Sequence, residues 1–172
     1  MSEPRKVKLF TGMIAGGQTA LFEAVEPELE ALFGQIDLVS PVWPWNHTTF
    51  YEKELGKGLL RKFVFFKSLI HPQELPAVKL KTIGLERKYL NCEHQRQINL
   101  DPGYLNAAKV VLASTKDYSH RLYLGHGIYG EVTLAYSKGA YRPFPYTYPD
   151  FRTEEYLTFF EKARGIYKRT TT

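Results

Sequence analysis

The sequence predicts an α+β domain built on a mixed or antiparallel sheet, whose first half reads as a ferredoxin-like β-α-β-β-α-β unit. Three observations predict it. Val7 to Ile14 alternates, with Val7, Leu9 and Met13 set against Lys8, Phe10 and Ile14, as a central strand does. Leu21, Val25, Leu29, Leu32 and Phe33 follow at helical spacing. Strand and helix signals then continue in the β-α-β-β-α-β order before a third helix, a C-terminal hairpin or meander and a last helix. At 172 residues the chain reads as one domain spanning 1–172.

The elements follow in order. Ala15-Gly16-Gly17 is a turn, and a helix runs from about Gln18 to Phe33, closed by Gly34. Pro27 lacks a backbone donor and should kink or restart that helix. Ile36 to Val42 is the second strand, ended by Pro41 to His47, and Thr48 to Leu55 is a short helical turn before Gly56. Leu59 to Ser68 is the third strand. His71-Pro72 opens a helix to about Leu90, weakened in its middle by Gly84. Gln97 to Leu100 is a short strand. Asp101-Pro102 then reads as the cap and first residue of a third helix that turns Leu105, Ala108, Val111 and Leu112 inward. Ser119–Leu124 and Ile128–Tyr136 form a hairpin, Ala140–Phe144 a third strand limited to an edge or end by Pro143, and Arg152–Lys168 the final helix.

Composition narrows the class. The hydrophobic share of 44% is that of an ordinary globular protein, and the 12 Tyr and 11 Phe suit a core and pleated surfaces. Cys92 is the single cysteine, so no intramolecular disulfide forms, which fits a cytoplasmic setting. The first residues lack the apolar run of a signal peptide, and no apolar run is long enough for a membrane span. The net charge of +5 is uneven: residues 53–88 hold nine Lys/Arg against three Glu. An anionic partner follows from that excess, RNA among the candidates, with Trp43 and Trp45 as exposed stacking aromatics.

Gly12-Met13-Ile14-Ala15-Gly16-Gly17-Gln18-Thr19 matches a phosphate loop except that Gln18 stands where the lysine belongs. Gly12, Gly16, Gly17 and Thr19 are therefore a degenerate phosphate-binding, or GTP-binding, candidate. Gln18 cannot supply the missing charge.

Most of the compact chemistry lies between Asn99 and Glu131. Lys116 and Arg121 can hold an anion, His120 can move a proton near neutral pH, and Asp101 or Glu131 can hold a proton. With Asp117, the two acids could share one Mg²⁺ if the fold converged them; no structural metal site is expected, since no His spacing supports one. Asp101 and Tyr104 would point at the ligand from a strand-to-helix turn. A three-residue Gly125-His126-Gly127 loop pairs Leu124 with Ile128, Tyr123 with Tyr129, Leu122 with Gly130, Arg121 with Glu131 and His120 with Val132, while a two-residue turn pairs His120 with Glu131.

Asn99 to Tyr104, the run Ser114 to Leu124, Gly127 to Leu134 and Tyr148-Pro149-Asp150-Phe151-Arg152 resemble one prokaryotic family, the domain of unknown function 4416. The resemblance spans nearly the whole chain and implies no established activity, though some members carry a GTP-binding label. The family pattern at 12–19 is not glycine-rich. The expectation is a cytoplasmic protein that binds, and in one version acts on, a phosphorylated or anionic small molecule or nucleotide. Its cleft lies between Asp101 and the 116–131 hairpin, with Tyr129 on the hairpin wall. An RNA-binding module and a non-enzymatic interaction domain are the alternatives.

Overall fold

The computed structural model describes residues 2–17, 19–47 and 51–171. Nine strands form one antiparallel sheet: β1 (Val7–Gly16), β2 (Ile36–Val39), β3 (Trp43–Pro44), β4 (Leu59–Ile70), β5 (Ile98–Leu105), β6 (Lys109–Ser114), β7 (Leu122–Gly125), β8 (Ile128–Ser137) and β9 (Ala140–Pro143). The helices are α1 (Ala20–Phe33), α2 (Glu52–Leu55), α3 (Leu75–Glu86) and α4 (Glu154–Thr171). The sheet runs β2-β4-β1-β5-β6-β8-β7, with β3 beside β4 and β9 beside β8. In its first half the order β2-β4-β1-β5 is the antiparallel order of a ferredoxin-like unit, as the element sequence predicts.

Alternation sends successive residues of β1 to opposite faces. Leu9, Met13 and Ala15 meet Phe22, Val25 and Leu29 of α1 and Val78 and Leu85 of α3. Phe10 on the other face meets Phe63, Phe65 and Phe160, the last from α4, in an aromatic core with rings 5.1–6.2 Å apart. The sheet is thus covered by α1 and α3 on one side and by α4 on the other. No described helix is long and apolar enough to cross a membrane.

Several local expectations change. Helix α1 runs unbroken through Pro27, and Phe22 replaces exposed Leu32 among its buried positions. Gln18 and Thr48–Phe50 lie outside the described residues; of the predicted 48–55 turn, Glu52–Leu55 is helical. The 71–90 helix is shorter, a 3-10 turn at Pro72–Glu74 followed by α3.

The largest correction falls on Asp101-Pro102. No helix starts there; both residues lie inside β5, and the predicted 101–112 helix is the β5–β6 hairpin. A cap and first-turn proline look the same in sequence as a proline where a ladder ends. Here the ladder to β1 continues through Thr11↔Pro102 and Gly12↔Asp101, while the ladder to β6 reaches only Gly103↔Leu112. Pro102 has no N–H for the next rung. Past that point β5 and β6 part, and the sheet opens between them.

Candidate functional site

The opening between β5 and β6 is the head of a cleft of about 800 Å³ on the α4 side of the sheet. Leu100 shows why side chains from α3 enter it. On the side where β6 is missing, its N–H donates to Glu86 Oε1 at 2.6 Å and its carbonyl accepts from Lys79 Nζ at 3.0 Å. These two α3 side chains stand in for the absent strand, so no strand hydrogen bond of Leu100 is left unmade. Lys79 continues to Asp101 Oδ1 at 3.1 Å, and Asn99 Nδ2 donates to Asp101 Oδ2 at 2.6 Å.

The protonation consequences diverge. Burial pushes the Asp101 carboxyl up, but the Lys79 and Arg61 charges and the two hydrogen bonds outweigh it, holding its pKa below the ordinary value. For Glu86 burial wins over Lys79, the Leu100 N–H and Arg96, and its pKa is raised. Arg96 ties Glu86 to α2 by donating to both oxygens of Glu54 at 2.7 and 2.8 Å and to Glu86 at 3.0 Å. A bidentate fork of this kind fixes geometry as well as charge.

Arg61 forms the floor beside Asp101. It pairs with Ile14 of β1 in register, and its guanidinium lies 4.7 Å from the Phe63 ring centroid and 5.6 Å from that of Phe151. Its ion pair to Asp150 is long at 3.4 Å. Nε and Nη1 are buried without a hydrogen-bond acceptor among the described residues. Gly12 is required beneath it, because a Cβ there would come within 2.8 Å of the Phe63 ring.

The far wall comes from β6, β8 and the loop after β6. Arg121 is buried and each of its nitrogens is engaged: Nε on Glu131 at 3.0 Å, Nη1 on Ser114 Oγ at 2.7 Å and the Lys116 carbonyl at 3.1 Å, Nη2 on Tyr148 Oη at 3.0 Å. Burial lowers its pKa, but the bonds to Glu131 and Tyr148 outweigh that and raise it, so it stays charged. Glu131 also bonds His120 Nε2 at 2.8 Å and accepts from Thr133 Oγ1 at 3.2 Å. The roof, residues 148–151, is tied down from behind. Arg152 donates to the carbonyls of Thr147, Phe144 and Pro145, and Thr147 Oγ1 to that of Thr133.

Of the residues the sequence predicts for the anion site, Asp101, Lys116, Arg121 and Glu131 line this one cleft. The others do not. Tyr104 differs from Asp101 by an odd number of positions, so it faces the α3 side, packed with Leu75 and Val111. His120 sits behind Glu131, stacked on Tyr146 at 4.3 Å. Asp117 and Tyr129 interact with each other on the outer hairpin. Among the described residues no three His, Cys, Asp or Glu converge to hold a metal. The shared Mg²⁺ site of Asp101, Asp117 and Glu131 therefore does not form. Gly12 and Gly16 belong to extended β1, and only Gly17 turns, its N–H donating to Gly58. The phosphate-loop shape is absent from 12–17, and Thr19 precedes α1 with no capping side-chain bond.

The hairpin follows the three-residue-loop register in its middle and departs from it at the tip. Leu122↔Gly130, Tyr123↔Tyr129 and the Arg121–Glu131 pair form as the longer loop requires. A bulge at Leu124 then brings Gly125 opposite Ile128, so Leu124 does not face Ile128; β7 begins at Leu122, too late for a His120↔Val132 rung. The basic 53–88 segment is not one basic face. Arg61 and Lys79 are buried in ion pairs, and Lys62 and Lys88 pair with Glu26 and Glu28. Trp43 packs on Tyr156 at 4.9 Å, and Trp45 is buried with Nε1 donating to Asp150 at 3.0 Å, so neither is a free stacking platform.

Sequence reasoning missed Arg61, Lys79 and Glu86 as cleft residues, because the register of β1 with β4 and β5 brings Arg61 there and the opening between β5 and β6 admits the α3 side chains. Ser114, Tyr148 and Asp150 carried a signal: each lies in a run that resembles the family.

Fold and site together define an α+β protein whose open antiparallel sheet is split to make a charged, aromatic-walled cleft. The chain belongs to the family described as Domain of unknown function (DUF4416), whose sequence model matches residues 5–167. No curated protein and no solved structure shows significant similarity to the chain.

Proposed function

We propose that the cleft binds a small anionic molecule, a phosphorylated metabolite, nucleotide or carboxylate. The observation that carries this reading is Arg61: a cation only 4% exposed, on the cleft floor, with, among the described residues, one long ion pair and two guanidinium nitrogens lacking an acceptor. A buried charge held this incompletely is costly unless something else completes it. The surroundings agree. Six Lys/Arg line the cleft against five Asp/Glu, so an anion is favoured, and Tyr51, Tyr118 and Tyr148 offer ring surface for the rest of the molecule. The size lies within the range of small-molecule sites, about 300–1,000 Å³.

A thermal-shift screen of the purified chain tests this, with inorganic phosphate, sugar phosphates, nucleotides and aromatic carboxylates, each with and without Mg²⁺. A bound anion at 100 times its Kd adds about 2.7 kcal/mol of stability. The expected result is a shift by at least one anion that Arg61→Lys, which keeps the charge and loses the planar fork, reduces or abolishes. No shift from any anion, or a shift indifferent to Arg61→Lys and to Arg87→Ala at the cleft rim, overturns the reading. That outcome favours a second one, a protein-interaction domain. It draws on edge strand β7, where Leu122 is 75% and Tyr123 63% exposed.

A further inference from the structure

The hydrogen bonds around Arg121 have a direction. A hydroxyl has one proton and two lone pairs. Ser114 Oγ accepts from Arg121 Nη1 at 2.7 Å and from the Lys116 backbone N–H at 3.1 Å, so both lone pairs are taken. Toward any third group Ser114 can only donate. Tyr148 Oη accepts from Arg121 Nη2 at 3.0 Å, and its proton is likewise left to give. Burial raises the Tyr148 pKa, and the Arg121 bond only partly offsets this, so the phenol keeps that proton through the neutral and mildly alkaline range. Among the described residues neither hydroxyl has an acceptor, yet both line the cleft.

Arg121 itself is poorly placed to be the ligand's partner. Its nitrogens serve Glu131, Ser114, Lys116 and Tyr148, and its face covers the Tyr118 ring at 4.5 Å. What it does is hold two hydroxyls, one on each terminal nitrogen, with a positive charge behind them. Donors so polarised suit an ionised oxygen, where a hydrogen bond is roughly twice as strong as to a neutral one.

We propose that Ser114 and Tyr148 form a two-donor receptor for an oxyanion, carboxylate or phosphate, of the molecule bound in the cleft. Arg121 is the positioning residue that aims both donors. The inference rests on the cleft-binding reading and assigns its anion end: the 114–121 wall, with Arg61 supplying charge from the floor.

The test is a titration of benzoate and of phenyl phosphate into the ¹⁵N-labelled full chain, following backbone amide shifts. The wild type is compared with Ser114→Ala, Tyr148→Phe and Arg121→Lys, whose spectra also report whether each variant is folded. Expected is movement of cleft amides by at least one probe, with Kd raised about tenfold by Ser114→Ala and by Tyr148→Phe, and at least as much by Arg121→Lys. Which probe responds tells carboxylate from phosphate. A probe that moves the cleft amides with a Kd unchanged within twofold in both hydroxyl-deletion variants overturns the receptor and leaves the cleft reading standing. If neither probe moves a cleft amide in the wild type, the receptor is overturned together with the oxyanion chemistry of the cleft.

Discussion

Asp101 is held ionised by neighbours that exist only in the folded chain, and this has a pH signature. Its pKa is lowered in the fold from an ordinary 3.8. A depressed carboxyl contributes stability that is fully present above the unfolded pKa and is lost as pH falls through the folded one. The stability gap between the wild type and Asp101→Asn should therefore be constant from neutral pH to about pH 5 and shrink below pH 4, as read from urea midpoints at each pH. A gap independent of pH down to the acid limb would mean that Lys79 and Asn99 do not discriminate the charged form. Gly103 is a different single-residue constraint. A Cβ there would lie 2.4 Å from the Val111 carbonyl oxygen and 2.5 Å from Phe10 Cζ. One contact is backbone and the other a ring locked in the aromatic core, so neither yields cheaply. Gly103→Ala should cost about 1–3 kcal/mol in urea unfolding.

At the scale of elements the governing event is the parting of β5 from β6. Lys79 and Glu86 occupy the gap, so a cycle across it measures how the opening is held. Lys79→Met strands the Leu100 carbonyl and leaves Asp101 without its closest cation. Loss of one partner of a buried pair costs about 3–5 kcal/mol, but the Asp101 side chain keeps 28% exposure, which reduces this to about 2–3 kcal/mol. Adding Asp101→Asn removes the stranded charge, so the double variant should be less destabilised than the sum of the singles, by about 1 kcal/mol or more. Strict additivity would show that Leu100, not Asp101, is what Lys79 serves. The same opening separates what was legible in the sequence from what was not. Period-two runs such as Val7–Ile14 and helical spacing such as Leu21–Val25–Leu29 are local, and with their order they yield the ferredoxin-like half. Asp101-Pro102 misleads because the cue is identical for a helix start and for a strand whose ladder stops, and only the neighbouring strand decides between them. Asp101, Lys116, Arg121 and Glu131 could be picked out because they are close in sequence. Lys79 and Arg61 could not, since they meet Asp101 only through the register of β1 with β4 and β5 and through the gap that α3 fills.

Over the whole molecule the question is what its positive charge is for. A net +5 with nine cations in residues 53–88 invites RNA, yet the fold turns much of that segment inward or pairs it. Buried cations such as Arg61 and Lys79 cannot release counterions from a phosphate backbone, and buried Trp45 offers no ring for a base. The cations that remain exposed, Lys53, Lys57, Lys67, Lys81, Arg87 and Lys88, are expected to give non-specific attraction. Fluorescence anisotropy with a short single-stranded RNA should then give a Kd no tighter than the non-specific range of about 10⁻⁴–10⁻⁶ M at physiological salt, weakening steeply as salt is raised. Small anions behave differently at a cleft whose charges are shielded from bulk solvent, where screening is weaker. Raising salt from 50 to 200 mM should erode RNA binding by far more than it erodes binding of whichever small anion shifts the melting temperature. Submicromolar RNA binding that resists salt would reverse that order. It would also require a base-reading surface on faces of the sheet other than the cleft.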